Sequence, residues 1–456
     1  MRRAAEASLA DWITSPRRKP LVLRGARQVG KSTLVRRVAE SHGLPLWEVN
    51  LERHAVLAGA FESLDVRRIL LEVGLVLRRT VGQGPGLLFL DEIQAIPQAL
   101  TALRYFHEER PELPVIAAGS LLETALRRLP SAMPVGRIEF FHLGPVTFLE
   151  FVEATEGAPL ADFLRGYALG EPWPDTVHER LRQRLRDFVI AGGMPEAAAL
   201  FAESADVTGV HAVHRSILET YREDFGKYAA GAQIAHVRRV FDAAPASIGQ
   251  TVKWSRVDAG TKSVDLRRAF ELLEQAGVVT GVRHSAGTGV PLGATAHDAI
   301  LKLLFLDVGL AQTAMGLGAL TASPLDGARF VNEGPLAEQL AGQHLRHLQH
   351  GQRPELHFWR REGKAGNAEV DFLTAVDGRV VPVEVKAGAA GAMRSLHQFV
   401  ALRGTDLAVR FDLNPPSIQE ISTTASTPEG PRSVRYRLLS LPLFLAERVD
   451  DLVRPV

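Results

Sequence analysis

Gly25-Ala26-Arg27-Gln28-Val29-Gly30-Lys31-Ser32 has the G-x-x-x-x-G-K-[ST] spacing of a phosphate-binding loop. The glycines let backbone N–H groups approach phosphate oxygens with no Cβ in the way. Lys31 is placed to reach the β/γ-phosphates of ATP, and the Ser32 hydroxyl to join Mg²⁺. Pro20-Leu21-Val22-Leu23-Arg24 before the loop reads as a short buried strand. Thr33 and the residues to Glu40 read as a helix, whose N-terminal partial charge adds to anion binding. The nucleotide-binding set is therefore Gly25, Ala26, Arg27, Gln28, Val29, Gly30, Lys31, Ser32 and Thr33. A chance Gly-rich turn is the alternative, and the strand–loop–helix context argues against it.

Downstream, Pro45–Asn50 reads as a second strand, followed by a mostly helical segment to Arg79 and a turn at Gly82–Gly86. Leu87-Leu88-Phe89-Leu90-Asp91-Glu92 is an apolar run ending in two acids. Fully buried parallel strands look like this, and ligands bind at their carboxyl ends. Asp91 is expected to hold Mg²⁺, and Glu92 to orient or deprotonate the attacking water. Val115–Ser120 reads as a further strand. Ser120 is either a γ-phosphate or water contact, or the N-cap of a helix over Leu121–Arg128. Arg137 is a candidate for stabilising charge on the transferring phosphoryl group, in cis or across a subunit boundary. Arg27 and Arg104 compete for that role, and a solvated surface arginine is the other reading of Arg137.

Over 456 residues the bulk composition is that of an ordinary globular chain, 46% hydrophobic and 23% charged, long enough for two to four domains. With 53 basic and 52 acidic residues there is no global field, so any nucleic-acid surface must be local. Without cysteine there are no disulfides or thiolate metal sites, which fits a reducing compartment. Met1-Arg2-Arg3-Ala4-Ala5-Glu6 opens no apolar signal core, and no stretch is long enough to span a membrane. The expectation is a cytoplasmic protein.

The loop, Leu90-Asp91-Glu92-Ile93-Gln94, Ala118-Gly119-Ser120 and Val135-Gly136-Arg137 together resemble the AAA-superfamily ATPases of bacteria and archaea that end in domain of unknown function 4143, which has a restriction-endonuclease-like fold. The resemblance implies a multidomain α/β chain. Together with the residue patterns read below, the chain would comprise a P-loop parallel-sheet AAA-type ATPase core over 1–140, a helical lid or connector over 141–232, a winged helix-turn-helix over 233–295 and a nuclease-like domain over 296–456.

The residues of the later segments are read in the same terms. Ala191-Gly192-Gly193-Met194-Pro195 is a sharp turn between helices, either a plain helix C-cap or a hinge. A helix over 234–243, a connector at 251–254 and an amphipathic helix over Val264–Ala276 lead on to two short strands, Gly277–Val279 and Gly281–His284, with a Gly-rich turn at 287–289. This is the outline of a winged helix-turn-helix. Val264, Phe270 and Leu273 are expected on its core face. Lys262, Arg267 and Arg268 would meet DNA, unless this module serves protein packing, as Glu271 and Glu274 on the same helix allow.

Further on, strand Lys302–Asp307 and helix Val308–Met315 precede a helix carrying Glu338, which follows Asn332-Glu333-Gly334, and then strand Leu356–Arg360. The hairpin Glu369–Val376, Asp377-Gly378, Arg379–Lys386 carries the chemistry. A type I′ turn at Asp377-Gly378 pairs Val376 with Arg379, which puts Asp371 opposite Glu384 and Glu369 opposite Lys386. Side chains alternate, so Asp371, Glu384 and Lys386 share one face, with Val370, Phe372, Val381, Val383 and Val385 behind it. Carboxylates roughly 5 Å apart call for a cation between them. Mg²⁺ or Mn²⁺ on Asp371 and Glu384, with Glu338 as further ligand or orienter and Lys386 polarising water or phosphate, is the PD-(D/E)XK arrangement. Two surface salt bridges are the plain alternative. Ser422–Pro431 reads as a polar loop.

The resulting expectation is a Mg²⁺-dependent ATPase coupled to a DNA-binding, DNA-cleaving domain. The alternative is an ATP-dependent switch or scaffold that cuts nothing. Partners are ATP, DNA and, if Arg137 acts in trans, a second copy in a homo-oligomer, with no membrane.

Overall fold

The computed structural model describes residues 1–119, 136–317, 334–346, 351–352, 354–361, 368–386 and 393–456, apart from the side chain of Tyr228. Five parallel strands form the first sheet: β1 (Leu21–Arg24), β2 (Leu46–Asn50), β3 (Leu87–Asp91), β4 (Val115–Ala118) and β5 (Glu139–His142), in the order β2-β3-β4-β1-β5. Alternate residues feed two cores. Leu21, Leu23, Leu87, Phe89 and Ile116 pack with Leu34, Val35 and Val38 of helix Lys31–Ser41 on one face. Val22, Leu88, Leu90 and Val115 pack with Ile69 and Val73 of helix Val66–Leu77 and Leu103 and Phe106 of helix Gln98–Glu109 on the other. Burial on both faces explains the unbroken apolar run of β3. With β4 between β1 and β3, the carboxyl ends of β1 and β3 lie about 10 Å apart across the sheet.

Helices Phe148–Glu156, Ala158–Gly166, Asp175–Ala191, Pro195–Ser204 and Val207–Tyr228 follow, and their apolar faces join the first of these cores. No helix among the described residues is long and apolar enough to cross a membrane.

The second sheet has eight strands, β6 (Val279–Ser285), β7 (Ala296–Phe305), β8 (Leu356–Arg360), β9 (Glu369–Val376), β10 (Arg379–Val385), β11 (Leu407–Asp412), β12 (Ser417–Thr427) and β13 (Gly430–Pro442), in the order β12-β13-β11-β10-β9-β8-β6-β7. Its ladder runs across residue 295, since β6 pairs with β7 antiparallel and with β8 parallel.

Three local expectations are corrected. The two strands expected over 277–284 are one strand, β6, whose antiparallel partner is β7 beyond the Gly-bearing connection. Gly281 does not break it, because its N–H is taken by Glu274 Oε1 at 2.9 Å. Val264 is 60% exposed in the first turn of helix Ser263–Gln275, and Leu266, Ala269, Phe270 and Leu273 form the buried stripe at helical spacing. Ser422–Pro431 is not a loop. Residues 417–427 form the edge strand β12, paired along its length with β13, and their Ser/Thr content reflects an outer strand exposed along most of its length.

Candidate functional site

The loop after β1 winds through left-handed backbone at Gly25 (φ +143°), Gln28 (φ +64°) and Gly30 (φ +90°). A Cβ on Gly25 would stand 2.2 Å from the Leu143 carbonyl oxygen, so only glycine lets the loop lie against the end of β5. Lys31 opens the following helix and donates to the Gly25 and Ala26 carbonyls at 2.9 and 2.8 Å. Burial drives its pKa from the ordinary 10.5 down to about 8, with Glu92 and Asp91 opposing.

Ser32 Oγ lies 3.3 Å from Asp91 Oδ2. Burial, then repulsion from Glu92, raises the Asp91 pKa. Asp91 Oδ1 accepts the Glu92 N–H at 3.1 Å, while Glu92 takes φ +51° and its carboxylate accepts from Gln94 Nε2. A hydroxyl beside a strand-end carboxylate is an oxygen donor set that fits Mg²⁺ in the presence of phosphates. Thr33 is exposed on the same helix, and Ser120 lies outside the described residues.

Several contacts that fix the loop come from distant sequence. Arg3 donates to Val29 O at 3.1 Å, Gly144 O at 2.8 Å and Pro145 O at 3.0 Å, and pairs with buried Glu150 at 2.9 Å. Arg27 forms an ion pair with Asp224 of helix Val207–Tyr228, and Tyr221 Oη donates to Arg27 O at 2.8 Å. The other two candidate arginines share one acid, Arg104 meeting Glu108 at 3.0 Å and Arg137 at 3.2 Å. Nothing in the sequence near the loop signals Arg3, Tyr221 or Asp224.

In the second sheet, Asp377 (φ +49°) and Gly378 (φ +76°) make the two-residue turn, and Arg379 pairs with Val376. The β9–β10 ladder is paired as far as Phe372–Val383; beyond it β10 continues on β11, with Glu384 against Arg410, and β9 on β8, with Glu369 against Arg360. Asp371 Oδ2 accepts the Val385 N–H at 2.8 Å, and Lys386 Nζ meets Glu384 Oε1 at 2.5 Å. Glu384 Oε2 is buried and without a hydrogen-bond partner among the described residues. Burial, then repulsion from Asp371, pushes the Glu384 pKa up to about 7 against the pull of Lys386.

The parting of β9 and β10 also changes one partner. Glu369 bonds not to Lys386 but to Lys302 of β7, at 2.7 Å. Lys302 is 1% exposed and also meets Glu338 at 2.6 Å and Asp371 at 3.6 Å. Burial would lower its pKa, but Glu338, Asp371 and Glu369 together raise it. Burial and the charge of Asp371 raise Glu338 in turn. Among the described residues no three His, Cys, Asp or Glu side chains are grouped to hold a metal ion. Asp371 and Glu384, with the orphaned oxygen of Glu384, fit an ion held by two carboxylates and water. Asn332 and Glu333, expected to open the Glu338 helix, lie outside the described residues.

On helix Ser263–Gln275, Arg268 is 66% exposed with Asp265 at 4.0 Å and Arg267 is half-buried, and Lys262 just before the helix is exposed. Glu274 is turned inward to Arg283 at 2.8 Å.

Residues 17–152 match the family described as an AAA domain, 182–321 a domain of unknown function (DUF8612) and 333–424 a domain of unknown function (DUF4143). No curated protein matches. Among solved structures, the chain is similar to the Aeropyrum pernix ORC1 protein in complex with DNA at 15% identity and TM-score 0.26, covering 68% of this chain and 90% of that one. It is also similar to the Thermotoga maritima RuvB Holliday junction branch migration motor at 18% identity and TM-score 0.27, covering 60% and 87%. The chain thus combines an AAA-type, P-loop parallel-sheet core with a C-terminal mixed sheet.

Proposed function

We propose that the protein is a Mg²⁺-dependent ATP hydrolase coupled to a DNA-binding, metal-dependent nuclease-like domain. The observation that carries the reading is the Ser32–Asp91 contact at 3.3 Å beside the loop that holds Lys31. Lys31 leaves the Gly25 and Ala26 carbonyls for the β/γ-phosphates, and the loop N–H groups from Ala26 to Ser32 surround them. Ser32 and Asp91 would hold Mg²⁺, which would supply neutralisation of developing charge on the phosphates. Glu92 orients the attacking water and takes its proton. Arg137, on the surface with Glu108, serves a neighbouring copy in a homo-oligomer. The Arg27–Asp224 and Tyr221–Arg27 contacts carry the state of the loop into the helical connector.

In the second sheet Asp371 and Glu384 would hold Mg²⁺ or Mn²⁺, which would supply Lewis-acid polarisation of a scissile phosphate. Lys386 donates to that phosphate or to the attacking water. Lys262, Arg267 and Arg268 meet the DNA backbone. The antiparallel β9–β10 hairpin continuing into parallel β11 supports the restriction-endonuclease-like reading of this domain. One observation favours the second reading, an ATP-dependent switch or scaffold acting in the cytoplasm. Lys302 already satisfies Glu338, Glu369 and part of Asp371 with no metal.

Full-length protein with Mg²⁺ or Mn²⁺ decides between them. On the first reading it nicks plasmid DNA, and Asp371→Ala abolishes nicking while sparing ATP turnover. Intact ATP turnover with no nicking under either metal leaves the switch.

A further inference from the structure

Lys302 is a fully buried ammonium that donates to Glu338 on the helix and lies within ion-pair distance of Glu369 and Asp371 on β9. It faces Asp371 Oδ1, while Asp371 Oδ2 accepts the Val385 N–H. We propose that Lys302 is a positioning residue acting as a built-in cation, which restricts the C-terminal acidic site to a single divalent ion held by Asp371 and Glu384. This rests on the metal-site reading given above.

Charge balance supports it. The cluster holds four carboxylates, Glu338, Glu369, Asp371 and Glu384, and two ammonium groups, Lys302 and Lys386. With every carboxylate deprotonated, as metal binding requires, its formal charge is −4 + 2 = −2, which one divalent ion cancels and two would overshoot. Two carboxylate oxygens remain open to an ion. Glu384 Oε2 is buried and unpartnered among the described residues, and Asp371 Oδ1 meets Lys302 only loosely, at 3.6 Å. Glu338 and Glu369, by contrast, are both engaged within 2.7 Å. Paired catalytic ions sit about 3.5–4 Å apart across a shared carboxylate. Lys302 Nζ, 2.6 Å from Glu338 and 3.6 Å from Asp371 Oδ1, already sets a positive charge between two carboxylates that a second ion would share. Being tethered to β7, it fixes Asp371 and Glu338 before any metal arrives and cannot be diluted away.

The test is a titration of the nucleotide-free full chain with Mn²⁺ alone, counting bound ions by electron paramagnetic resonance. Asp371→Asn in parallel subtracts ions bound elsewhere. The proposal predicts one Asp371-dependent ion in the wild type and two in Lys302→Met. If the methionine variant does not fold, Lys302→Gln, which keeps a hydrogen bond to Glu338, is expected to give the same count of two. A wild-type count of one that stays at one in the folded variant overturns the role of Lys302 and leaves the metal site standing. A wild-type count of two also overturns it. An Asp371-dependent count of zero overturns the metal-site reading itself, and this inference with it.

Discussion

Each sheet has a lysine set near acids, half-buried Lys31 beside the first and buried Lys302 in the second, and the two are in opposite conditions. Lys31 is held by neutral carbonyls, its pKa lowered by burial to about 8, with its acids only nearby. Lys302 is surrounded by three carboxylates, and its pKa is raised. The first is a charge waiting for an anion and the second a charge already answered. Placing a cation beside carbonyls leaves the folded chain electrostatically incomplete until phosphates bind. Placing it beside carboxylates completes the site in advance and limits what further cation can enter.

The comparison breaks most visibly in turnover. Glu92→Gln keeps the loop and its lysine but removes the carboxylate proposed as proton acceptor, so ATP hydrolysis should fall about 10²- to 10⁴-fold while nucleotide binding persists. Equal loss of binding and turnover would mean that Glu92 supports the loop and not the chemistry. Next in size is Arg3→Ala, which strips the loop of its outer clamp and leaves Glu150 buried without its cation. A loss of about 3 kcal/mol of stability in denaturant titrations, with weakened ATP binding, is expected. Smallest is Gly378→Ala. The space around it is open, so only the φ of +76° resists, and a cost of about 1 kcal/mol with unchanged ATP turnover is expected.

Much of this was legible because the informative residues are neighbours in the chain. The loop is eight consecutive residues, β3 is one apolar run ending in its acids, and the Asp377-Gly378 turn sets the hairpin register by itself. Partners that arrive from afar were not legible. Arg3 and Asp224 reach the loop from 26 and 197 residues away. Lys302 had one signal, a lysine inside the apolar run Ile300–Leu306, which a buried strand tolerates only with acids facing it. The hairpin reading gave Glu369 to Lys386 by extending the ladder past Phe372–Val383, where each strand takes a new neighbour. β12 was misread because serine and threonine suit both a loop and an exposed edge strand.

The central claim, one lysine unanswered and one answered, is tested most directly by urea unfolding of Lys31→Met and Lys302→Met, free of metal and nucleotide at pH 7. Lys31 binds fewer protons folded than unfolded between about pH 8 and 10.5, so its cost to the wild type is nearly full at pH 7 and fades as pH rises through that window. The drop in pKa corresponds to about 3 kcal/mol; partial exposure and the lost hydrogen bonds reduce the expected gain in Lys31→Met to about 1–3 kcal/mol. Lys302→Met leaves buried carboxylates uncompensated and should lose about 3–5 kcal/mol. Opposite signs are the predicted result, and destabilisation of both variants alike would contradict the account.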